Sequence, residues 1–262
     1  MEGTTEGPLI TIVIPAYNEE ENIRRGSIAE VAEHLAGQDY RCEVLVVDDG
    51  SGDATPSLVE EASARWPFVA LLRAQHGGKA RAVAAGVEAA AGRFVLFTDM
   101  DQSTPIRHLD EALAALKAGS DVVIASRWLK GSARLGEPLS RRLGGRAFAA
   151  LVRLLLLPGV SDSQCGFKGF RSEIARELFD GLLVFKGGPE GAKGPMVTAF
   201  DVELLVLARQ RGYRITEIPV TWKHVETTRV SPLRDGVRML GEVLSIWLNK
   251  RRGRYAPTRR GG

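Results

Sequence analysis

Two cysteines, Cys42 and Cys165, are all that 262 residues contain. A disulfide framework is thereby excluded, and the reducing, cytosolic side of a membrane is the expected compartment. Aromatic residues make up only 6%, too few to interleave with basic residues as a stacking surface for single-stranded nucleic acid. Long apolar runs are also missing. The longest, residues 147–160, is broken by Arg153 and Pro158 and falls short of the ~20 apolar residues that span a bilayer. The opening MEGTTEGP is acidic and polar, so no secretory signal is expected there. The four histidines form neither HExxH nor a Cys/His zinc spacing. No GxGxxG follows the first apolar run and no GxxxxGK[ST] occurs, which removes the dinucleotide-binding and P-loop classes.

What is present is a globular composition, 44% hydrophobic and 26% charged. It suits one large α/β domain and excludes a disordered chain. The net charge of +3 conceals an uneven distribution. Residues 127–153 hold seven basic side chains against one acid, Glu137, and residues 250–262 hold six against none. Everywhere else 22 basic residues face 31 acidic ones. An acidic body with two basic patches is expected to present those patches to phosphates or to an anionic membrane surface.

Apolar, β-branched runs at residues 9–15 (LITIVIP) and 42–48 (CEVLVVD) read as buried parallel strands, as do 68–72, 94–98 and 121–126. Helical patterns lie between them at 19–36, 55–65, 79–91 and 105–118. This alternation predicts a doubly wound, mostly parallel sheet, with ligands at the carboxyl ends of the strands. The second half predicts a helix over 140–157, a short strand over 166–171 and a mobile loop over 182–196. A helix over 199–210, a strand over 214–218 and a long helix over 231–250 complete it. In that last helix Leu233, Val237, Leu240, Leu244 and Trp247 form an amphipathic stripe. Such stripes ordinarily pack on a core, but the basic tail that follows points to a membrane surface.

The chemistry concentrates at predicted strand ends. Asp99 and Asp101 follow the fourth strand, and two carboxylates at i and i+2 offer hard oxygen ligands to Mg²⁺ or Mn²⁺, shared with substrate phosphates. After the second strand, Asp48 and Asp49 precede Gly50, where a carboxylate accepts hydrogen bonds from a nucleobase; Tyr17, after the first strand, can pack on a base or sugar. Asp53 and Thr55 read as turn or capping residues. Gly77, Gly78 and Lys79 open a helix and suit close approach to an anion. Arg127 follows the fifth strand directly, so its guanidinium is expected in the same crevice, where its fork matches a phosphate.

In this order, IVIPAYNEEENI, VLVVDDGSGDAT, GGKARAVAAG and FTDMD resemble the inverting family 2 glycosyltransferases of the GT-A fold, over about residues 8–230. SRW, SDSQCGFKGFR, AFDVELL and EIPVTWKHVE are similar to the polyprenyl-phosphate hexosyltransferases, the dolichyl-phosphate β-glucosyltransferase type above all, with dolichyl-phosphate mannose synthases as near relatives. His76 stands where many relatives have a side-chain amide. Gln102 follows the second Asp directly, one residue earlier than in the mannose synthases. The hydrophobic membrane anchors of several relatives have no counterpart here.

The resemblance implies transfer of a hexose from UDP-glucose, or alternatively GDP-mannose, to a polyprenyl phosphate. It implies nucleotide-sugar binding by Pro15, Tyr17, Glu19, Asp49, Lys79 and Asp99, and a metal held by Asp99 and Asp101. Asp101, Arg127 and Asp162 are the expected catalytic residues, with Asp162 or Asp201 as base should the acceptor be a hydroxyl. Arg127, Arg141 and Lys168, with Gln164, are expected on the acceptor side, and Cys165 as a packed side chain. The expected organisation is a flexible 1–8, a catalytic domain over 9–230, an amphipathic helix over 231–250 and a basic tail over 251–262. The protein would sit peripherally on the cytoplasmic face of a membrane. A nucleotidyltransferase would use a similar carboxylate–metal site; a nucleic-acid partner is not expected, because it leaves Asp99 and Asp101 unexplained.

Overall fold

The computed structural model describes residues 7–185, 198–225 and 232–256. Most of the predicted loop 182–196, the segment 226–230, and the tail residues Arg259 and Arg260 lie outside the described residues.

Among the described residues nine strands are formed: β1 (Ile10–Ala16), β2 (Cys42–Asp48), β3 (Val69–Arg73), β4 (Phe94–Phe97), β5 (Val122–Ser126), β6 (Ala133–Leu135), β7 (Lys168–Arg171), β8 (Ile215–Pro219) and β9 (Thr221–Lys223). The helices are α1 (Glu20–Arg24), α2 (Ser27–Ala36), α3 (Thr55–Arg65), α4 (Lys79–Ala89), α5 (Leu109–Lys117), α6 (Leu139–Leu155), α7 (Ser172–Asp180), α8 (Phe200–Gln210) and α9 (Pro232–Arg251). Seven strands make one sheet in the order β3-β2-β1-β4-β7-β5-β8, while β6 and β9 pair separately.

The apolar runs become strands because both faces of the sheet are covered. Along β1, Val13 joins the cluster formed with α4, α7 and α8, while Ile12 and Ile14 join the one formed with α2 and α5. Continuous hydrophobicity rather than alternation is what such a strand requires. The sheet is doubly wound and mostly parallel, as expected. Its exception is β7, which runs antiparallel between β4 and β5.

That inversion positions the site. The chain leaves β1 toward β2 and β3, then returns to β4 on the other side of β1. The switch point at the carboxyl ends of β1 and β4 is where a doubly wound sheet opens a crevice. An antiparallel β7 starts where its neighbours finish, so the turn before it, residues 161–167, opens onto the same edge.

The long terminal helix departs from the core-packing expectation. Val243 and Ile246 are the residues buried against the core, whereas Val237, Leu240 and Leu244 are 71%, 48% and 55% exposed. Two apolar faces share this helix: Val237, Leu240 and Leu244 of the stripe face outward, whereas Trp247 packs against the core cluster. Leu233 lies where side chains are not described. No helix among the described residues is long and apolar enough to cross a membrane.

Candidate active site

Five strand ends and one strand beginning meet at the crevice. Tyr17 follows β1 and stacks on the His76 ring, with centroids 4.7 Å apart. His76 Nδ1 lies 2.7 Å from the Asp49 carbonyl oxygen and 3.0 Å from Asp49 Oδ2. The backbone N–H groups of Gly77 and Gly78 each donate to the Asp49 carboxylate at 2.8 Å. Asp49 was expected to face a nucleobase. Its first task here is to bracket the turn that carries His76 and to start α4, although Oδ1, which accepts from Gly77, keeps a second lone-pair site.

Glu19 anchors the other wall. Its N–H donates to Thr55 Oγ1 at 2.7 Å, and its carboxylate accepts from Asn22 Nδ2. Asp53 accepts from the N–H groups of Glu20 and Thr55, tying the loop after β1 to the start of α3. Pro15 is the penultimate residue of β1, opposite Val47, with no N–H to contribute to the ladder.

Asp99 and Asp101 leave β4 together. Lys79, the first residue of α4, forms an ion pair with Asp99. Burial works against the Lys79 charge, but Asp99, with Asp201 and Asp101 near it, holds the ammonium well above its usual range. Asp101 has the opposite problem. Burial and then the Asp99 charge push its carboxyl up, and the Ser103 N–H donated to Oδ1 at 2.9 Å only partly compensates. Two hard carboxylates sharing one lysine fit a divalent cation of the Mg²⁺ or Mn²⁺ type. Among the described residues no group of three His, Cys, Asp or Glu side chains gathers that could enclose a metal. Further oxygens would have to come from a donor's phosphates. Gln102 takes no part in such a set: with φ at 48° it folds back, and its Nε2 donates to the Asp99 carbonyl at 2.9 Å.

Asp162 is not poised as a base. Its carboxylate accepts from Arg127 N at 3.0 Å, Nε at 2.6 Å and Nη2 at 2.9 Å, and from Gln164 N at 3.1 Å. Burial alone would raise its carboxyl, but the Arg127 charge and these hydrogen bonds hold it below the usual range. The Arg127 guanidinium is correspondingly engaged by its own chain. Lys168 departs furthest from expectation. It is fully buried, with Nζ bound to Asp201 Oδ1 at 2.6 Å and to the Cys165 carbonyl. A lysine so enclosed lines no acceptor surface. Asp201, in the first turn of α8, is consumed by the same pair. Cys165 is packed against Thr104 and its thiol is pushed up by burial, so it is inert. Arg141 sits in the exposed opening of α6.

Two residues that the motifs did not single out complete the site. Gly166 lies so close to Asp99 that a Cβ there would stand 2.0 Å from Oδ2. Glu217 on β8 accepts the N–H groups of Ser161 and Asp162 at 2.9 and 3.1 Å. A glycine beside a predicted strand hints at such close approach; nothing in EIPV hints at Glu217.

A doubly wound sheet with a carboxylate pair at its switch point, a lysine beside it and an aromatic slot over the first strand defines a glycosyltransferase of the GT-A fold. The chain belongs to glycosyl transferase family 2, whose profile matches residues 11–179. It is 31% identical to a glycosyltransferase of Haloferax volcanii, covering 93% of this chain but only 38% of that protein. To the dolichyl-phosphate beta-glucosyltransferase of Drosophila melanogaster it is 31% identical, covering 91% of this chain and 74% of the other. With the dolichol-phosphate mannosyltransferase of Pyrococcus furiosus it shares 28% identity over 81% of this chain and 56% of that one. The solved mannosyltransferase of Pyrobaculum calidifontis, in complex with GDP-Man and Mn²⁺, matches the fold with a TM-score of 0.59 at 24% identity, over 94% of this chain and 65% of that one.

Gly166→Ala is expected to displace the Asp99 carboxylate and weaken Mn²⁺-dependent nucleotide binding by tenfold or more, on the order of 1.4 kcal/mol. Calorimetry with UDP and Mn²⁺ reads this, and circular dichroism should remain that of the wild type. Asp162→Asn leaves a buried guanidinium without its counter-charge and is expected to cost about 3–5 kcal/mol. The sign with pH follows from the depressed carboxyl. The Asp162 contribution is complete above the ordinary carboxylate range and is lost as pH falls through its lowered value. Urea midpoints of wild type and variant should therefore differ most near neutrality and converge in acid.

Proposed function

We propose that the protein transfers a hexose from a nucleotide sugar to the phosphate of a polyprenyl lipid, with inversion at the sugar. The observation that carries the acceptor class is the state of the two carboxylates available as bases. Asp162 is held by Arg127 and Asp201 by Lys168, both inside the protein. A sugar-hydroxyl acceptor needs its proton removed. A phosphate monoester has its second pKa near ~6, arrives ionised, and needs no base. The names of the Drosophila and Pyrococcus relatives, both acting on a dolichyl-type phosphate, support the same choice.

UDP-glucose is the donor we favour, because DVELL and TWKHVE resemble the glucosyl branch; GDP-mannose is the alternative. In this reading Tyr17 packs on the base, and the turn held by Asp49 shapes the slot around it. Asp99 and Asp101 hold Mg²⁺ or Mn²⁺, which when bound neutralises charge on the leaving nucleoside diphosphate. Lys79 adds a fixed positive charge at the same place. The acceptor oxygen attacks the anomeric carbon from the face opposite the leaving group, in a single displacement.

An acceptor with a polyprenyl tail resides in a bilayer, and two helices suit its surface. The opening of α6 exposes Leu139 and Leu143 between Arg141, Arg142 and Arg146. The outer stripe of α9 exposes Val237, Leu240, Leu244 and Leu248, and the basic run from Lys250 follows. Lys250 Nζ donates to the Leu156 carbonyl at 2.8 Å, joining the ends of the two helices. Exposed apolar groups with cationic neighbours are what an anionic interface attracts.

The reaction is tested by offering UDP-glucose, GDP-mannose and UDP-N-acetylglucosamine with Mn²⁺ and a polyprenyl phosphate, and weighing the lipid product by mass spectrometry. A hexosyl-phosphoprenol from UDP-glucose is expected to accumulate fastest; faster turnover of GDP-mannose reverses the donor. Asp101→Asn should lower the rate by about a hundredfold or more, given the several kcal/mol a bound cation supplies, and EDTA should abolish transfer by the wild type. Vesicles containing phosphatidylglycerol should retain the protein at low salt and release it progressively as salt rises. Replacing Leu240 and Leu244 by Ser should weaken that retention, and salt-insensitive binding would contradict the electrostatic part.

A further inference from the structure

Beside the crevice, residues 127–146 and β9 enclose a second charged cluster. Arg134 on β6 pairs through Nη2 with Glu137, and the two side chains are only 6% and 4% exposed. The Arg134 guanidinium carbon lies 3.9 Å from the ring centre of Trp128 and 5.5 Å from that of Trp222. Arg127 stands 5.5 Å from the Trp222 ring and Arg146 5.6 Å from the Trp128 ring. The His224 ring is 5.9 Å from Trp222. Burial lowers the Arg134 guanidinium, Glu137 opposes this, and the Arg127 charge adds to it. Positive charge outweighs negative here.

The hydrogen bonding is incomplete in a telling way. Trp128 Nε1, Arg134 Nε and Nη1, Glu137 Oε2 and His224 Nδ1 are all buried with no hydrogen-bond partner among the described residues. Buried polar atoms ordinarily have partners, and five orphaned together mark a place that a polar ligand would complete. The cluster also borders the reaction crevice. Arg127 continues directly from β5, and the Lys223 N–H on β9 donates to the Ser103 carbonyl at 2.8 Å, two residues beyond Asp101.

We propose that Glu137 holds the place of a phosphomonoester, and that Arg134, Trp128 and His224 form the subsite which the acceptor's phosphate enters as Glu137 leaves. This rests on the reading of the acceptor as a lipid phosphate. A carboxylate offers one charge and two oxygens. A phosphate dianion offers nearly two charges and three oxygens, enough to engage Arg134 Nε and the Nη2 that Glu137 vacates as a fork, together with the Trp128 N–H. His224 adds a donor at Nδ1 in the tautomer protonated there.

Glu137 is placed to move. It lies between Gly136, at φ 73°, and Pro138, immediately before α6. Residues 141–147 of that helix are exposed, and a Cβ built at Gly144 or Gly145 meets nothing within 4 Å. Releasing Glu137 therefore disturbs no packed core. It frees the end of α6 that carries Arg141, so phosphate entry and repositioning of Arg141 are one motion.

The test is calorimetry with citronellyl phosphate, a short soluble prenyl phosphate, and with inorganic phosphate in a second arm. Glu137→Gln keeps the shape, removes the competing charge, and is expected to tighten citronellyl phosphate binding about fivefold or more. Arg134→Met is expected to weaken it at least tenfold. Arg134→Lys, which preserves charge in case the methionine variant does not fold, is expected to weaken it less. Affinity for UDP with Mn²⁺ should stay at the wild-type value in each variant. Unchanged or weaker binding in Glu137→Gln overturns the proposal, as does unchanged binding in a folded Arg134 variant. A response confined to inorganic phosphate reassigns the subsite to free phosphate and overturns the acceptor role. A wild type that binds citronellyl phosphate with these responses, yet transfers no hexose to it, upholds the subsite and removes the transferase reading instead.

Discussion

The buried carboxylate of Asp162 is the group on which the arrangement of the crevice depends. It draws in the backbone and the guanidinium of Arg127, 35 residues earlier, and the N–H of Gln164 beside it. Glu217 holds the same turn from its other side through the N–H groups of Ser161 and Asp162. The end of β5, the approach to β7 and the middle of β8 are thereby fixed to one another. Because β7 runs against its neighbours, this turn opens onto the switch point rather than away from it. Gly166 then meets the Asp99 carboxylate at a distance that no other residue type permits. A charge taken out of water is tolerated only with a full set of partners, and Asp162 has one. The geometry of the carboxylate pair is thus secured by a residue that does not belong to it.

The sequence reveals the strand ends more readily than the contacts between them. Apolar runs of the right length, each closed by a polar cluster, disclose β1 to β5 and the edge at which their motifs meet. Tyr17, Asp49, Lys79 and Asp99 could be placed on that edge because a parallel sheet delivers every such segment to one side. The direction of β7 was not legible, since KGFR carries no signal separating a parallel from an antiparallel strand. Pairings across 33 or 35 residues were equally hidden. Lys168 and Arg127 read as ligands for an outside phosphate because a lone basic side chain is ordinarily solvated, and only the fold shows that Asp201 and Asp162 reach them first. The stripe on α9 was legible, but not the way it faces. The helix has two apolar faces, and the more regular one, through Val237, Leu240 and Leu244, is the one turned outward.

Charge is apportioned unequally across the crevice. Arg127 cancels Asp162 and Lys168 cancels Asp201, each pair short and buried. Lys79 pairs with Asp99, while burial and then the Asp99 charge push the carboxyl of Asp101 up. One point in the crevice therefore retains unbalanced negative charge, and it is the point where two carboxylates emerge side by side. A divalent cation answers that imbalance without any change elsewhere, because the other carboxylates are already paired.

The same apportioning bears on the nucleophile. An enzyme that must deprotonate a hydroxyl keeps one carboxylate open, with a proton affinity near its working pH. Tying Asp162 to an arginine lowers that affinity, and enclosing Asp201 with a lysine removes it from contact with an acceptor. Both choices would sacrifice a base that the reaction needed. They sacrifice nothing when the acceptor arrives as an anion. The demand would then pass from removing a proton to admitting a charge, and the Arg134 guanidinium beside Trp128 and Trp222, paired with Glu137, is where we propose that it is met.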